Sequence, residues 1–201
     1  RARVRTLHKL YLDDVQRWSP FVLPQLEEVA FVMASAVDVP QPKVLCVSGR
    51  SKESVLSVSI SDTYEDVVKL TLPNEVLQGF PEADGMIDPA FARLPSSGFH
   101  LVIDLNTLSD LREVVRRNVA LQIRRTLAVD GTAVFLFQNA DDLGARAGRM
   151  LGMRKSVADQ RRPSVKAFRA TLEAAGFAII SERSAGIRMP QLIRSRLSPR
   201  M

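Results

Sequence analysis

One stretch, LPSSGFHLVIDLNTLSDL at Leu94–Leu111, limits what this chain can become more than any other. A Pro/Ser/Gly turn leads into an apolar core of Phe99, Leu101, Val102, Ile103 and Leu105, which runs directly into a helix start. A short apolar run bounded by turn residues and followed by a helix is the pattern of a strand buried on both faces in a βα unit. Ligands in such units meet the sheet at the carboxyl end of the strand. Asp104, Leu105 and Asn106 therefore point where chemistry would be.

The rest of the chain repeats the alternation. Residues 4–18 predict an amphipathic helix, with Leu7, Leu10, Tyr11, Val15 and Trp18 at helical spacing. Ser19-Pro20 ends it, and a second helix follows from Pro24 to Val37 with acidic residues at its positive end. Val39-Pro40-Gln41-Pro42 is a stiff connector into the strand Lys43–Val47. Residues 51–61 fit strand and helix equally. Strand Val67–Leu72, a short helix near Asn74–Gln78 and a loop-rich stretch with a short strand at Met86-Ile87 precede the strand at 99–105. Then come a helix over 110–128, a turn at Asp130-Gly131, strand Thr132–Phe137, a helix over Leu143–Met153, a basic loop over 154–162, and helix 164–175 closed by Gly176. Strand Phe177–Ser181 follows. A last strand, Arg188–Ile193, is restricted by Pro190 to an edge or bulge. Alternating strands and helices predict a doubly wound α/β fold with a mainly parallel sheet covered on both faces. Residues 1–42 form an N-terminal helical extension packed on the core, and residues 43–201 the α/β domain with its basic C-terminal part.

Charge narrows the partners. From Gly144 onward thirteen Lys/Arg stand against three Asp/Glu, a surplus of ten, which leaves −4 for the rest of a chain whose total is +6. Such asymmetry suits an acidic partner, an RNA backbone or subunits of a protein complex, and equally a solvated arginine-rich face. Arg154, Lys155, Arg161 and Arg162 are the phosphate-contact candidates. Aromatic content of 6% gives no base-stacking platform, so contact with phosphates rather than sequence reading is expected. Cys46 is the single cysteine, which excludes an intrachain disulfide and fits an intracellular, reducing compartment, the cytoplasm or an organelle matrix. His8 and His100 lie too far apart in sequence for metal-ligand spacing, so no metal is expected. No apolar run approaches the length of a membrane span. No secretory signal pattern opens the chain, and its start at Arg1 leaves open whether a targeting segment precedes it.

Five segments in order, KVLCVSGRS, LTLPNEVLQ, GMIDPAFARLPSSGFHLVIDLNTLSDL, RRTLAVDGTAVFLF and VKAFRATLEAAGFAII, resemble a class I S-adenosylmethionine-dependent methyltransferase over about residues 43–183. Leu94-Pro95, Phe99, Val102, Leu108, Leu111, Leu127, Gly131 and Ala175-Gly176-Phe177 carry the similarity. The resemblance implies a Rossmann-type fold with S-adenosylmethionine held by the loop after the first strand (Ser48, Gly49), the end of the second (Thr71) and Asp88. In that family the first loop reads "VLDVGCGTG". Here Cys46 replaces its acid, Ser48, Arg50 and Lys52 replace its glycines, and Gly49 lies one place off register. Thr71 stands where an acid accepts both ribose hydroxyls, and one hydroxyl does not replace a carboxylate there. Asp88 matches the acid that holds the adenine amino group, and it reads equally as an Asp-Pro turn. Asp104 is a general base or a helix cap or an arginine partner, and Asn106 stands beside it. His100 reads as a surface or edge residue. The first expectation is a methyltransferase-like domain with a degenerate cofactor loop, serving as a binding or scaffold module in a ribonucleoprotein or protein assembly. The alternative is an active methyltransferase acting on RNA, protein or a small molecule through Asp104 and Asn106.

Overall fold

The first strand shows how the layers form. In the computed structural model, which describes residues 39–49, 60, 64–78, 80–105, 107–137, 162–184 and 191–197, β1 spans Val44–Ser48 and buries Val44, Leu45, Cys46 and Val47 completely or nearly so. Side chains alternate along a strand, and these four divide between two cores. Leu45 and Val47 join Val102, Phe135 and Phe137 on one face of the sheet, whereas Val44 and Cys46 join Leu101, Ile103, Val134 and Leu136 on the other. Burial on both sides is the reason the sequence reads as continuous apolar runs rather than alternating ones.

The strands β2 (Val67–Thr71), β3 (Phe99–Leu105), β4 (Leu127–Phe137), β5 (Phe177–Ser184) and β6 (Gln191–Leu197) complete one sheet in the order β2-β1-β3-β4-β6-β5. Its first four strands are parallel, and β6 runs antiparallel to both β4 and β5. Strand order reverses between β1 and β3. A crevice at the carboxyl ends of those two strands is where a doubly wound sheet receives its ligand.

The larger core lies under the helices α2 (Ile87–Ala92), α4 (Glu113–Thr126) and α5 (Val165–Ala174), which contribute Phe91, Val115, Val119, Ile123, Phe168 and Leu172. Shorter helices α1 (Asn74–Gln78) and α3 (Thr107–Asp110) follow the carboxyl ends of β2 and β3. Ser164 caps α5 by accepting from the Ala167 amide at 3.2 Å. Gly176 ends that helix at φ 87°, a conformation glycine adopts without a Cβ clash.

The expected elements change in four places. Met86-Ile87 is the junction of a 3₁₀ turn at Pro81–Met86 with α2, not a strand. Pro89 suits the first turn of a helix, and the apolar pair Ile87 and Phe91 meets the core at helical spacing. The helix expected over 110–128 is α4, which starts later, after Arg112 in extended backbone (ψ 152°), and ends at Thr126 where β4 begins. Asp130-Gly131 turns the chain within β4 rather than ahead of it, in a register excursion of that strand. Phe99 pairs with Leu127 and Leu101 with Thr132, so two steps along β3 span five along β4. Pro190 precedes β6 rather than lying in it, which leaves that strand every amide it needs between two neighbours.

The N-terminal extension up to residue 38, the stretch 50–59, the helix expected over Leu143–Met153 and most of the basic loop after it lie outside the described residues. Among the described residues no helix is long and apolar enough to cross a membrane.

Candidate ligand site at the sheet switch point

At the carboxyl end of β3, Asp104 is fully buried. Its Oδ1 accepts from the Thr107 amide at 3.1 Å and its Oδ2 from the Leu108 amide at 3.2 Å. The carboxyl thus satisfies two of the donors that the first turn of α3 cannot pair internally. Burial pushes its pKa up to about 7, opposed by those hydrogen bonds. At the other end of α3, Arg116 of α4, itself only 4% exposed, donates from Nε to the Leu108 carbonyl at 2.8 Å and from Nη2 to the Leu111 carbonyl at 2.7 Å. This four-residue helix, too short to persist alone, is held between an acid at its amino end and a buried cation at its carboxyl end. Asn106 lies outside the described residues.

Across the switch point, Thr107 Oγ1 donates to the Val47 carbonyl at 3.4 Å and ties α3 to the end of β1. Ser48 ends β1 half-buried, and its carbonyl accepts from the Leu72 amide at 3.1 Å. Gly49 follows, its open side facing protein rather than an empty crevice. A Cβ built there would lie 2.8 Å from Leu77 Cδ2 and 3.1 Å from Thr107 Cγ2. The space into which a side chain at this position would extend is occupied by Leu77 of α1 and Thr107 of α3.

The other predicted contacts separate from this point. Thr71 sits exposed at the end of β2. Asp88 lies in the first turn of α2, and its Oδ1 accepts from Gln122 Nε2 of α4 at 2.7 Å. A shallow cleft of about 420 Å³ opens beside it, lined by Pro73, Gly85, Met86, Pro89, Ala90 and Arg93. Asp88 is not among the lining residues, although its neighbours in sequence are. His100 belongs to the opposite end of β3, where its Nδ1 accepts from the Lys43 amide at 3.1 Å. Cys46 is buried beneath the crevice with its thiol pushed up to about 12, chiefly by burial and further by Asp104, so it is held as a neutral thiol rather than a nucleophile. Of the phosphate-contact candidates, Arg162 is half-buried just ahead of α5, while Arg154, Lys155 and Arg161 lie outside the described residues.

Sequence reasoning missed Leu77, Thr107, Arg116 and Gln122. Two of them left a signal. Thr107 follows three residues after Asp104, the spacing at which an acid accepts amides from a first helical turn. Arg116 falls on the buried stripe Val115, Val119, Ala120 and Ile123, where a cation must find internal acceptors. Leu77 and Gln122 are ordinary helix residues whose effect depends on which elements the fold brings together.

No protein-family model matches the chain, and no curated protein matches its sequence. Solved structures do match in three dimensions. A protein from Pyrococcus horikoshii OT3 superposes with a TM-score of 0.62 at 15% identity, over 90% of this chain and 93% of that one. The 1,6-didemethyltoxoflavin-N1-methyltransferase of Burkholderia thailandensis, solved with 1,6-didemethyltoxoflavin and S-adenosylhomocysteine, gives 0.56 at 12% identity, over 98% and 88% of the two chains. An S-adenosylmethionine-dependent methyltransferase from Mesorhizobium loti gives 0.54 at 15% identity, over 84% and 97%. The fold is therefore that of the class I S-adenosylmethionine-dependent methyltransferases, and likeness at this level of identity speaks to the fold alone. Three of the predicted contacts differ in chemistry or surroundings from the pose the resemblance implies. Thr71 offers no bidentate acceptor, Asp88 is engaged by Gln122, and Leu77 and Thr107 cover Gly49.

Proposed function

We propose that this protein is a methyltransferase-like domain whose cofactor site has degenerated and which serves as a binding or scaffold module in a ribonucleoprotein or protein assembly. The observation that supports this reading is the close approach of the chain's own Leu77 and Thr107 to Gly49, at the end of β1. Asp104 supports it too, because a carboxyl buried under two amide donors serves the start of α3 rather than a substrate. Replacing a ribose carboxylate by a hydroxyl and losing the glycine turn remove charge-assisted hydrogen bonds worth roughly 1.5–3 kcal/mol each. Two such losses weaken a micromolar ligand to about millimolar.

Calorimetric titration with S-adenosylmethionine and with S-adenosylhomocysteine tests this directly. The expected result is no saturable heat below about 1 mM. Binding tighter than about 100 μM that disappears in Asp88→Ala would overturn the reading. It would favour the alternative, an active enzyme, which the shared fold supports.

The basic segment supplies a route to a polyanion. Arg154, Lys155, Arg161 and Arg162 are four cations within nine residues of sequence. Each of them that neutralises a phosphate steepens the salt dependence of binding by about one unit of slope. Changing all four to Ala is expected to lower affinity for a structureless RNA at least tenfold at about 50 mM salt. Unchanged affinity in a filter-binding assay would remove RNA from the proposal.

A further inference from the structure

Helix α4 packs one side against the sheet through Val115, Arg116, Val119, Ala120, Ile123 and Thr126. Its outward side carries an unusual pattern. Val114 is 66% exposed and Leu121 41% exposed. Seven residues apart, they fall within about 20° of one line along the helix, roughly 10.5 Å from each other. By the same periodicity Arg117 and Arg124 run along one flank of that line, and Asn118 and Arg125 along the other. Arg117, Asn118 and Arg125 are exposed, and Arg124 is half-buried.

Local structure accounts for part of this. Arg124 and Arg125 lie in the last turn, where cations complement the helix dipole, and Arg125 Nη2 also donates to the Phe91 carbonyl at 2.8 Å, fastening α4 to the end of α2. Among the described residues nothing comparable explains the rest of the face. An exposed valine adds neither burial nor helix propensity, and Arg117, one turn in from Glu113, lies outside the last turn where a cation complements the dipole. Glu113 in the first turn is the one acid among the exposed α4 residues.

We propose that the outward face of α4 docks one amphipathic helix of a partner protein, a helix bearing apolar side chains at seven-residue spacing flanked by Asp and Glu. Val114 and Leu121 are the apolar contacts, in the manner of helix recognition by anchors at helical spacing. Arg117 and Arg125, exposed on the two flanks, are the complementary charges that set orientation and exclude basic partners. The two apolar side chains on the centre line favour a protein helix over RNA, because a phosphate backbone has nothing to place against them. The inference deepens the assembly reading above and rests on it for its purpose, but its geometry involves none of the cofactor positions.

The test uses the full chain and a fluorescein-labelled synthetic peptide about three heptads long, with Leu on one stripe and Glu on both flanks, against a scrambled peptide of the same composition. Fluorescence anisotropy is expected to show binding of the patterned peptide alone. Arg117→Glu and Leu121→Ser should each weaken it roughly tenfold, while Lys166→Ala, an exposed cation on α5, leaves it unchanged. Val114→Ser serves as a second apolar variant, with circular dichroism verifying that each variant keeps the wild-type fold. Equal binding of both peptides, or wild-type binding by both apolar variants, would overturn the proposal. So would a short uridine oligonucleotide whose binding is weakened by Arg117→Glu and untouched by Leu121→Ser, since the face would then read phosphate. Tight S-adenosylmethionine binding would sink the degenerate-site reading without moving any of these outcomes.

Discussion

Wild-type protein should lose stability as pH rises from about 4 to 7, and Asp104→Asn should remove that slope. The carboxyl titrates near 3.8 when unfolded and near 7 in the fold, raised by burial. Below the lower value both states hold the proton, and Asp104 contributes nothing to the pH dependence. Between the two values the folded state keeps a proton that the unfolded chain has released, so each rise in pH favours unfolding. Above 7 both states are ionised and the full penalty persists. With about 1.4 kcal/mol per pKa unit, the separation amounts to something on the order of 4 kcal/mol. Urea midpoints measured from pH 4 to 8 check it, and parallel curves for wild type and Asp104→Asn would refute it. The asparagine variant starts lower, since its Oδ1 can accept from one α3 amide while its Nδ2 opposes the other. Its flatness with pH, not its absolute stability, is the diagnostic.

A second large effect is expected at Phe135. This β4 side chain is fully buried and meets Phe177 edge-on at 5.4 Å and Phe168 edge-on at 6.2 Å between ring centroids, while Phe168 also stacks on Phe137 at 4.2 Å. Phe135 therefore joins the parallel part of the sheet to α5 and to the start of β5. Truncation to Ala should lower stability by about 3–5 kcal/mol, the transfer loss plus a cavity that surrounding rings cannot fill. For a chain of this size that shifts Tm by roughly 10 °C. Phe80, half exposed, is the control. Its replacement by Ala should stay within about 0.5 kcal/mol, and calorimetric scans showing equal shifts for the two would contradict the role given to Phe135.

Much of the fold was legible because burial on both faces writes itself into sequence. The runs VLCV, FHLVIDL and TAVFLF have no other economical reading, and Ser164 and Gly176 mark the ends of α5 with their own chemistry. Where the sequence misled, tertiary context had decided. Asp130-Gly131 does turn the chain, but only the pairing of Leu127 with Phe99 shows that the strand has begun before it. Pro190 argued against an interior strand, yet the strand starts one residue later. Site chemistry was less accessible still. Cys46, Thr71 and the off-register Gly49 could be read as departures from a pattern. Yet no local signal says that Leu77 will lie over Gly49 or that Gln122 will reach Asp88, because those contacts join elements far apart in the chain.

The position of β6 bears on the order in which the molecule can be made. β5 pairs with the sheet only through β6, and β4 has β6 as its outer neighbour. During synthesis, therefore, β5 leaves the ribosome before the strand that supplies its backbone partners. Until residues 191–197 arrive, β4 presents an open hydrogen-bonding edge flanked by Phe135 and Phe137, the kind of surface that recruits unwanted strands. The last described strand is thus an interior one, and sheet closure waits for it. A nascent chain halted before Gln191 should engage chaperones, whereas one released after Leu197 should not.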